Sequence, residues 1–369
     1  MKRQLVVNAG SATLKWTLFG AGRAKLDGGV VSWNSAEPEH CGAQMRELLR
    51  GIGEFEAAGH RLVHGGARYT APVALTGEVR AQLQALCALD PDHMRPALAC
   101  IDTVAGACPQ VTQFASFDTA FHATLPEAAA RYALPREWID RWQLRRYGFH
   151  GLSVDYSVRR VRELLGMVPA RMVVCHLGSG CSLTAVRDGR SVDTTMGYTP
   201  LDGPVMATRS GAIDPGLLLQ VQRQAGLDAD AMQDALTHRS GLLALSGISG
   251  DLGQVLAAAG RGDQRAASAY DCFLHSLRRY LGAMIAVLQG VDAVVFTGGM
   301  AEHSPRLRQD LCETLRFAGL EIDPGKNREG ASDRLISAPR ASIAAYLIHA
   351  REDRVVLDDL LRLTSKDTA

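Results

Sequence analysis

Three glycine-rich turns in a fixed order constrain this chain most. They are VVNAGSATLKWTLFG (6–20), VVCHLGSGCSLTAV (173–186) and AVVFTGGMAEHS (293–304). Each opens with a short β-branched run that reads as a buried strand. Each then breaks into Gly with small polar residues. In such turns the backbone N–H groups approach phosphate oxygens with no Cβ in the way. One such turn is common in unrelated proteins. Three, each following a strand, point to a nucleotide held between two related halves.

The rest of the chain alternates strands and helices. Residues 5–7 and 14–19 read as two strands around the first turn, a hairpin. Residues 60–63 and 114–117 read as further strands, and Val79, Leu83 and Leu86 recur at helical spacing within 78–89. A second cycle starts near Arg171. Residues 172–175 and 182–186 flank the second turn, and DGRSVDTT (188–195) leads into another extended segment. Residues 271–289 read as a helix with Phe273, Leu277, Tyr280, Leu281, Met284, Ile285 and Leu288 on one face. Residues 293–296 read as a buried strand. After it, Ser304 suits an N-cap, Pro305 the first helical position and Gly319 the end of that helix. The repeated strand–turn–strand opening predicts a duplicated α/β architecture, two domains with a central cleft.

Composition narrows the function classes. The chain has 369 residues, 47% hydrophobic and 21% charged, so it is long enough for two domains with ordinary cores. A net charge of +1 without a basic or acidic block gives no support to nucleic-acid or membrane-surface binding. No apolar run reaches the length of a membrane span, and MKRQLVVNAG does not read as a signal peptide. The eight cysteines form no CxxC pair and read as buried thiols in a reducing cytoplasm. No HxH or HExxH supports a zinc site.

Nine longer motifs make the chain resemble the acetate kinase family of short-chain acyl kinases. They are NAGSATLK (8–15), HRLVHGG (60–66), FDTAFHATLP (117–126), RRYGFHG (145–151), CHLGSG (175–180), SVDTTMGYTPLDG (191–203), TRSGAIDPG (208–216), SGLLALSGIS (240–249) and FTGGMAEHS (296–304). They follow family order from Gln4 to about Asp353, although the stretch between Gly20 and His60 is shorter than in typical members. The resemblance implies a duplicated two-domain actin/hexokinase-like (ribonuclease H-like) fold. It also implies an N-terminal α/β domain of residues 1–119 plus 353–369 with the acyl-site residues, and a C-terminal domain of 120–352 with the nucleotide site.

The implied reaction is reversible phosphoryl transfer between ATP and acetate, giving acetyl phosphate and ADP by direct in-line attack. Such a reaction brings two anions together, so positioning and charge neutralisation dominate. The resemblance assigns Arg61 and Arg209 to the acyl carboxylate and the transferring phosphoryl group, and both are expected at a solvent-lined cleft. It assigns Asp118, Glu352 and Asn8 to Mg2+, with Mn2+ as an alternative. It makes His150 a donor to the phosphoryl group. His93, Val63 and Pro200 line the acyl pocket. The nucleotide falls to Asn8, Ser11, Lys15, His176, Gly178, Ser179, Gly180, Asp251, Gly298, Gly299 and Met300. The family shows Asn where this chain has Ser179, and an arginine two residues after Asp251, where this chain has Gly253. Met300 replaces a smaller β-branched residue. Loose selectivity between ATP and GTP is therefore expected. Asp92 occupies a position that is apolar in the family. It either turns away to pair with Arg95, hydrogen-bonds a polar acid, or is protonated. Propionate, butyrate and polar acids are the alternative substrates. A chaperone-like or actin-like ATPase is the alternative from another class. A homodimer is implied, with no nucleic-acid or membrane partner.

Overall fold

The β-branched runs before the glycine turns become the central strands of two sheets. The computed structural model describes residues 3–10, 13–33, 38–330 and 332–366. The chain divides into two units, Met1–Ala123 with Phe149–Tyr156 and Arg351–Ala369, and Thr124–Gly148 with Ser157–Ala350.

The first unit carries β1 (Gln4–Ala9), β2 (Thr13–Phe19), β3 (Lys25–Ser32), β4 (Ala57–Leu62), β5 (Val73–Ala74) and β6 (Thr112–Phe117), in the sheet order β3-β2-β1-β4-β6-β5. The second carries β7 (Arg171–Leu177), β8 (Cys181–Arg187), β9 (Arg190–Thr194), β10 (Ala293–Thr297), β11 (Arg334–Leu335) and β12 (Ala344–Leu347), in the order β11-β12-β10-β7-β8-β9. Read from the other edge, the second order repeats the first strand for strand. The pairings repeat as well. β1–β2 and β7–β8 are antiparallel, as are β2–β3 and β8–β9. β1–β4–β6 and β7–β10–β12 are parallel, and β5 and β11 close each sheet antiparallel. The duplicated α/β fold expected from the sequence is therefore present in two complete copies.

The two faces of the first sheet are covered by different helices. Leu5, Val7, Ala58, Leu62, Ala115 and Phe117 bury one face with residues of helices Pro38–Ile52 and Pro91–Ala107, such as Met45 and Ile101. Val6, Ala57 and Phe114 bury the other with Val355, Val356 and Leu360 of helix Glu352–Lys366. That helix comes so close that a Cβ on Gly59 would lie 2.7 Å from Val356 Cγ1, so only glycine fits there without a shift. In the second unit, the buried stripe Phe273, Leu277, Leu281, Met284 and Leu288 belongs to helix Gln264–Leu288, which packs on β7 and β8. It begins earlier than expected because Asp263 caps it, accepting from Ala266 N at 3.0 Å.

Two helix expectations change. The segment 78–89 is helical over Gly77–Ala85 and then tightens into a 3-10 turn, Leu86–Ala88. Ser304 does cap a helix, accepting from Leu307 N at 3.2 Å, but that helix is Pro305–Glu313. Gly319, at φ +95°, ends the separate 3-10 turn Arg316–Ala318 instead. All eight cysteines are free. Cys272 is exposed and Cys108 half-buried, against the expectation that all are buried.

Three imidazoles are sealed in the first unit. Burial pushes His60, His64 and His122 down to about 4. His60 Nε2 donates to Gln113 Oε1 at 2.8 Å, and His122 Nε2 donates to the Phe149 carbonyl at 2.9 Å. Unfolded, these rings take up protons near pH 6.5. Between about pH 6.5 and 4 the unfolded chain thus binds more protons, and stability falls as pH falls. Asp118, raised to about 6, acts in the opposite sense over part of that window, one carboxyl against three rings. The unfolding midpoint is expected to drop steadily from pH 7 to pH 5 in denaturant titrations. A midpoint that is flat or rises toward acid contradicts the sealed-imidazole account.

Candidate functional site

In the first unit the site residues gather at the carboxyl ends of β1, β4 and β6, where parallel sheets place ligand-handling groups. Asn8 stands in register with Arg61 on one side and Lys15 on the other. Period-two alternation puts all three on the face covered by helix Glu352–Lys366. Glu352 opens that helix, and its Oε2 accepts from Asn8 Nδ2 at 2.8 Å. Lys15 is exposed, and Val63, next after β4, is buried. Ser11 lies outside the described residues.

Asp118 follows β6 directly. Its N–H donates to the Leu62 carbonyl at 2.9 Å, and its own carbonyl accepts from Gly151 N at 2.9 Å. A Cβ on Gly151 would sit 2.1 Å from that carbonyl oxygen, so the approach requires glycine. The preceding His150 takes a left-handed conformation, φ +59°, uncommon for a non-glycine residue. Arg61 Nη2 donates to Asp118 Oδ2, with side-chain exposures of 11% and 1%. Arg61 is thus half-buried, and its carboxylate partner is sealed from solvent. Asp118 Oδ1 and Arg61 Nε are buried with no hydrogen-bond partner. Burial raises Asp118 to about 6; Arg61 opposes the shift, Glu352 adds to it and His93 opposes it. Burial also works against the Arg61 charge, but Asp118, Glu352 and Asp90 outweigh it and raise its pKa, so the guanidinium stays protonated.

His93 is tied down locally. His93 Nδ1 bonds Asp90 Oδ1 at 2.8 Å, and Asp90 caps helix Pro91–Ala107. Asp92 is half-buried in the first turn of that helix, where a carboxylate favours the helix dipole. Arg95 is exposed. His64 is fully buried, accepts from Gly66 N at 2.8 Å through Nδ1, and meets the Phe149 ring edge-on at 5.5 Å.

The second unit brings the other two glycine turns together. An ideal Cβ on Gly178 would stand 3.6 Å from His176 Nε2 and 3.9 Å from Gly299 N. Gly178 N donates to the Gly180 carbonyl at 2.9 Å and closes its turn. Thr297, which ends β10 in register with His176, has a buried hydroxyl without a partner. The Ser179 carbonyl accepts from Ala207 N at 3.1 Å, which draws in the segment before Arg209. Arg209 Nη1 donates to the Pro200 carbonyl at 3.3 Å. Gly250 also abuts Ala207: its Cβ would lie 2.8 Å from the Ala207 carbonyl oxygen. Asp251 next to it caps helix Leu252–Gly260, accepting from Gln254 N at 2.8 Å. Met300 sits in the short helix Gly299–His303.

Sequence reading passed over several supporting groups. Glu302 Oε1 accepts from Gly298 N at 3.1 Å and from Ala350 N at 2.9 Å, tying the third turn to the segment that follows β12. Arg308 is 1% exposed and bonds the carbonyls of Ala301, Glu302 and Asn327. Asp90 carried a signal, an Asp-Pro step before a helix. Glu302 carried none, because its second partner lies 48 residues away.

Duplication also shows which copy is specialised. Asp118 N bonds the Leu62 carbonyl just as Ile348 N bonds the Phe296 carbonyl, both at 2.9 Å. The buried carboxylate of the first unit is thus an isoleucine in the second.

The family model described as the Acetokinase family matches residues 43–358. Acetate kinase of Trichormus variabilis is 42% identical over 322 residues, 87% of this chain and 79% of that protein. Acetate kinase of a Synechococcus species is 39% identical over 388 residues, 95% of this chain and 96% of that protein. The crystal structure of Porphyromonas gingivalis acetate kinase superposes with a TM-score of 0.89 at 30% identity, covering 99% of this chain and 100% of that one. A propionate kinase from Francisella tularensis gives a TM-score of 0.89 at 31% identity, covering 98% and 100%. Likeness at this level, over both copies of the sheet, makes this chain a member of the acetokinase family.

Proposed function

We propose that this protein transfers a phosphoryl group reversibly between ATP and acetate, giving acetyl phosphate and ADP, with a magnesium ion as resident cofactor. The observation that carries the reading is the Arg61–Asp118 pair, whose buried carboxylate has a second oxygen with no protein partner. A carboxylate desolvated to that degree with an open lone pair suits a ligand from outside the protein.

The residues fit a magnesium ion. Among the described residues no group of three or more His, Cys, Asp or Glu could hold a metal. Magnesium commonly uses only one or two carboxylates and keeps several waters. Asp118, Glu352 and Asn8 would hold it. When bound, it supplies neutralising charge to the phosphoryl oxygens. Arg61, kept charged by its carboxylate neighbours, orients and neutralises the acyl carboxylate. Arg209 neutralises the equatorial phosphoryl oxygens, and His150 donates to them. The N–H groups of Gly178–Gly180 and Gly298–Gly299 bind the nucleotide phosphates. The carboxylate oxygen then attacks the γ-phosphorus in line, with no phosphoenzyme. The acyl residues fall to a domain of residues 1–119 with 353–369 and the nucleotide residues to 120–352. A cytoplasmic homodimer goes with this reading, and eight free thiols suit a reducing compartment.

Propionate is the second substrate to consider, because one of the similar structures is a propionate kinase. The test is acyl-hydroxamate formation from ATP, hydroxylamine and each of formate, acetate, propionate and butyrate, repeated with GTP. Acetate is expected to give hydroxamate, chelation by EDTA to abolish it and added magnesium to restore it. Phosphate release without hydroxamate would instead favour an ATPase that moves a partner.

A further inference from the structure

Asp90 is a buried carboxylate, 6% exposed, at the N-cap of helix Pro91–Ala107 in the first unit. Its Oδ1 accepts from the His93 backbone N–H at 3.3 Å and bonds the His93 ring Nδ1 at 2.8 Å. The first contact starts helix Pro91–Ala107. The second fixes a ring three residues on. An ionised carboxylate only accepts, so the shared proton sits on Nδ1. The pair lies within electrostatic reach of the central ion pair, since Asp90 acts on Arg61 and His93 acts on Asp118.

We propose that Asp90 is a positioning residue for the carboxylate substrate, holding the His93 ring in one orientation and one tautomer. The inference rests on the acyl-kinase reading, in which His93 lines the acyl pocket. An imidazole turns about a broad, roughly two-fold torsion and exchanges its proton between two nitrogens. A charge-assisted bond at Nδ1 removes both freedoms. Release of the ring therefore weakens carboxylate binding and leaves nucleotide binding as it was.

Substitutions separate the cap from the ring contact. Asp90→Asn keeps both, because its amide oxygen accepts and asparagine caps as well as aspartate. Asp90→Ser keeps the cap, but its hydroxyl is one bond too short to hold the ring. Asp90→Ser is expected to raise KM for acetate by about tenfold. Its KM for ATP and its unfolding midpoint should match those of Asp90→Asn, which should stay within about threefold of the parent KM for acetate. In a His93→Ala background, Asp90→Ser should add nothing. Nitrogen-15 NMR of the histidine rings gives a readout independent of turnover: the Nδ1–H tautomer of His93 should persist in Asp90→Asn and vanish in Asp90→Ser. Equal acetate KM values for the two variants, or additive effects in the double variant, overturn the proposal. So does an unchanged His93 tautomer in Asp90→Ser. If the tautomer behaves as expected but the parent enzyme phosphorylates no carboxylate, the acyl-kinase reading fails, and the substrate role of Asp90 fails with it.

Discussion

Arg61→Ala is expected to lower kcat/KM by about two to four decades and to destabilise the fold by about 3–5 kcal/mol. Both losses come from one geometry. In the proposed reaction Arg61 supplies a fixed positive charge where two anions must meet, and it is also the partner of a carboxylate only 1% exposed. Alanine leaves Asp118 buried with no counter-charge. A second substitution tests that logic: in the Arg61→Ala background, Asp118→Asn should recover part of the stability and none of the activity. Arg209→Ala should show an activity loss of similar size. Steady-state rates and denaturant unfolding measure the two losses separately. An Arg61→Ala enzyme with more than half the parent kcat would remove Arg61 from the reaction.

Gly298→Ala is expected to abolish nucleotide binding and to cost about 2–5 kcal/mol of stability. The residue stands at φ +86° and ψ 154°, a region open only to glycine. A Cβ there would meet the Leu177 carbonyl oxygen at 2.8 Å and its nitrogen at 3.0 Å, both backbone atoms that cannot step aside. Displacing Gly298 also breaks its bond to Glu302 and pulls the third turn from the second. Gly178→Ala is the comparison. Its nearest neighbour would be 3.5 Å away, an ordinary contact, and its backbone is not left-handed. That variant should fold like the parent. Nucleotide affinity by calorimetry and unfolding by denaturant decide it, and equal behaviour of the two variants would contradict the packing argument.

Much of this was written in the local sequence, and the reason is physical. β1, β7 and β10 are buried along nearly their whole length, so they read as continuous apolar runs, and the glycine turns beside them punctuate the chain. β3 was not legible. It is an edge strand with Leu26 and Val30 exposed, and Asp27-Gly28-Gly29 reads as a turn. In the sheet those glycines serve a neighbour: a Cβ on Gly29 would lie 2.9 Å from the Trp16 ring nitrogen. The helix expected from Pro305 to Gly319 breaks at Glu313, and Gly319 is glycine because a Cβ would strike Ser342 Oγ at 1.9 Å, a contact no local pattern encodes. The site divides the same way. Arg61, Asp118 and the turns stand in strand–turn motifs. The carboxylate that pairs with Arg61 lies 57 residues away, and the bond from Asn8 to Glu352 spans 344 residues. Sequence spacing carries no record of either.

The central claim is that a carboxylate oxygen of the substrate attacks the transferred phosphorus and becomes the bridge of an acyl phosphate. Phosphorus-31 NMR of acetyl phosphate made from ATP and acetate labelled with oxygen-18 in both positions tests it. The account predicts that every product molecule carries the heavy isotope in the bridge between carbon and phosphorus. Unlabelled bridging oxygen, or free phosphate with no acyl phosphate, would contradict it.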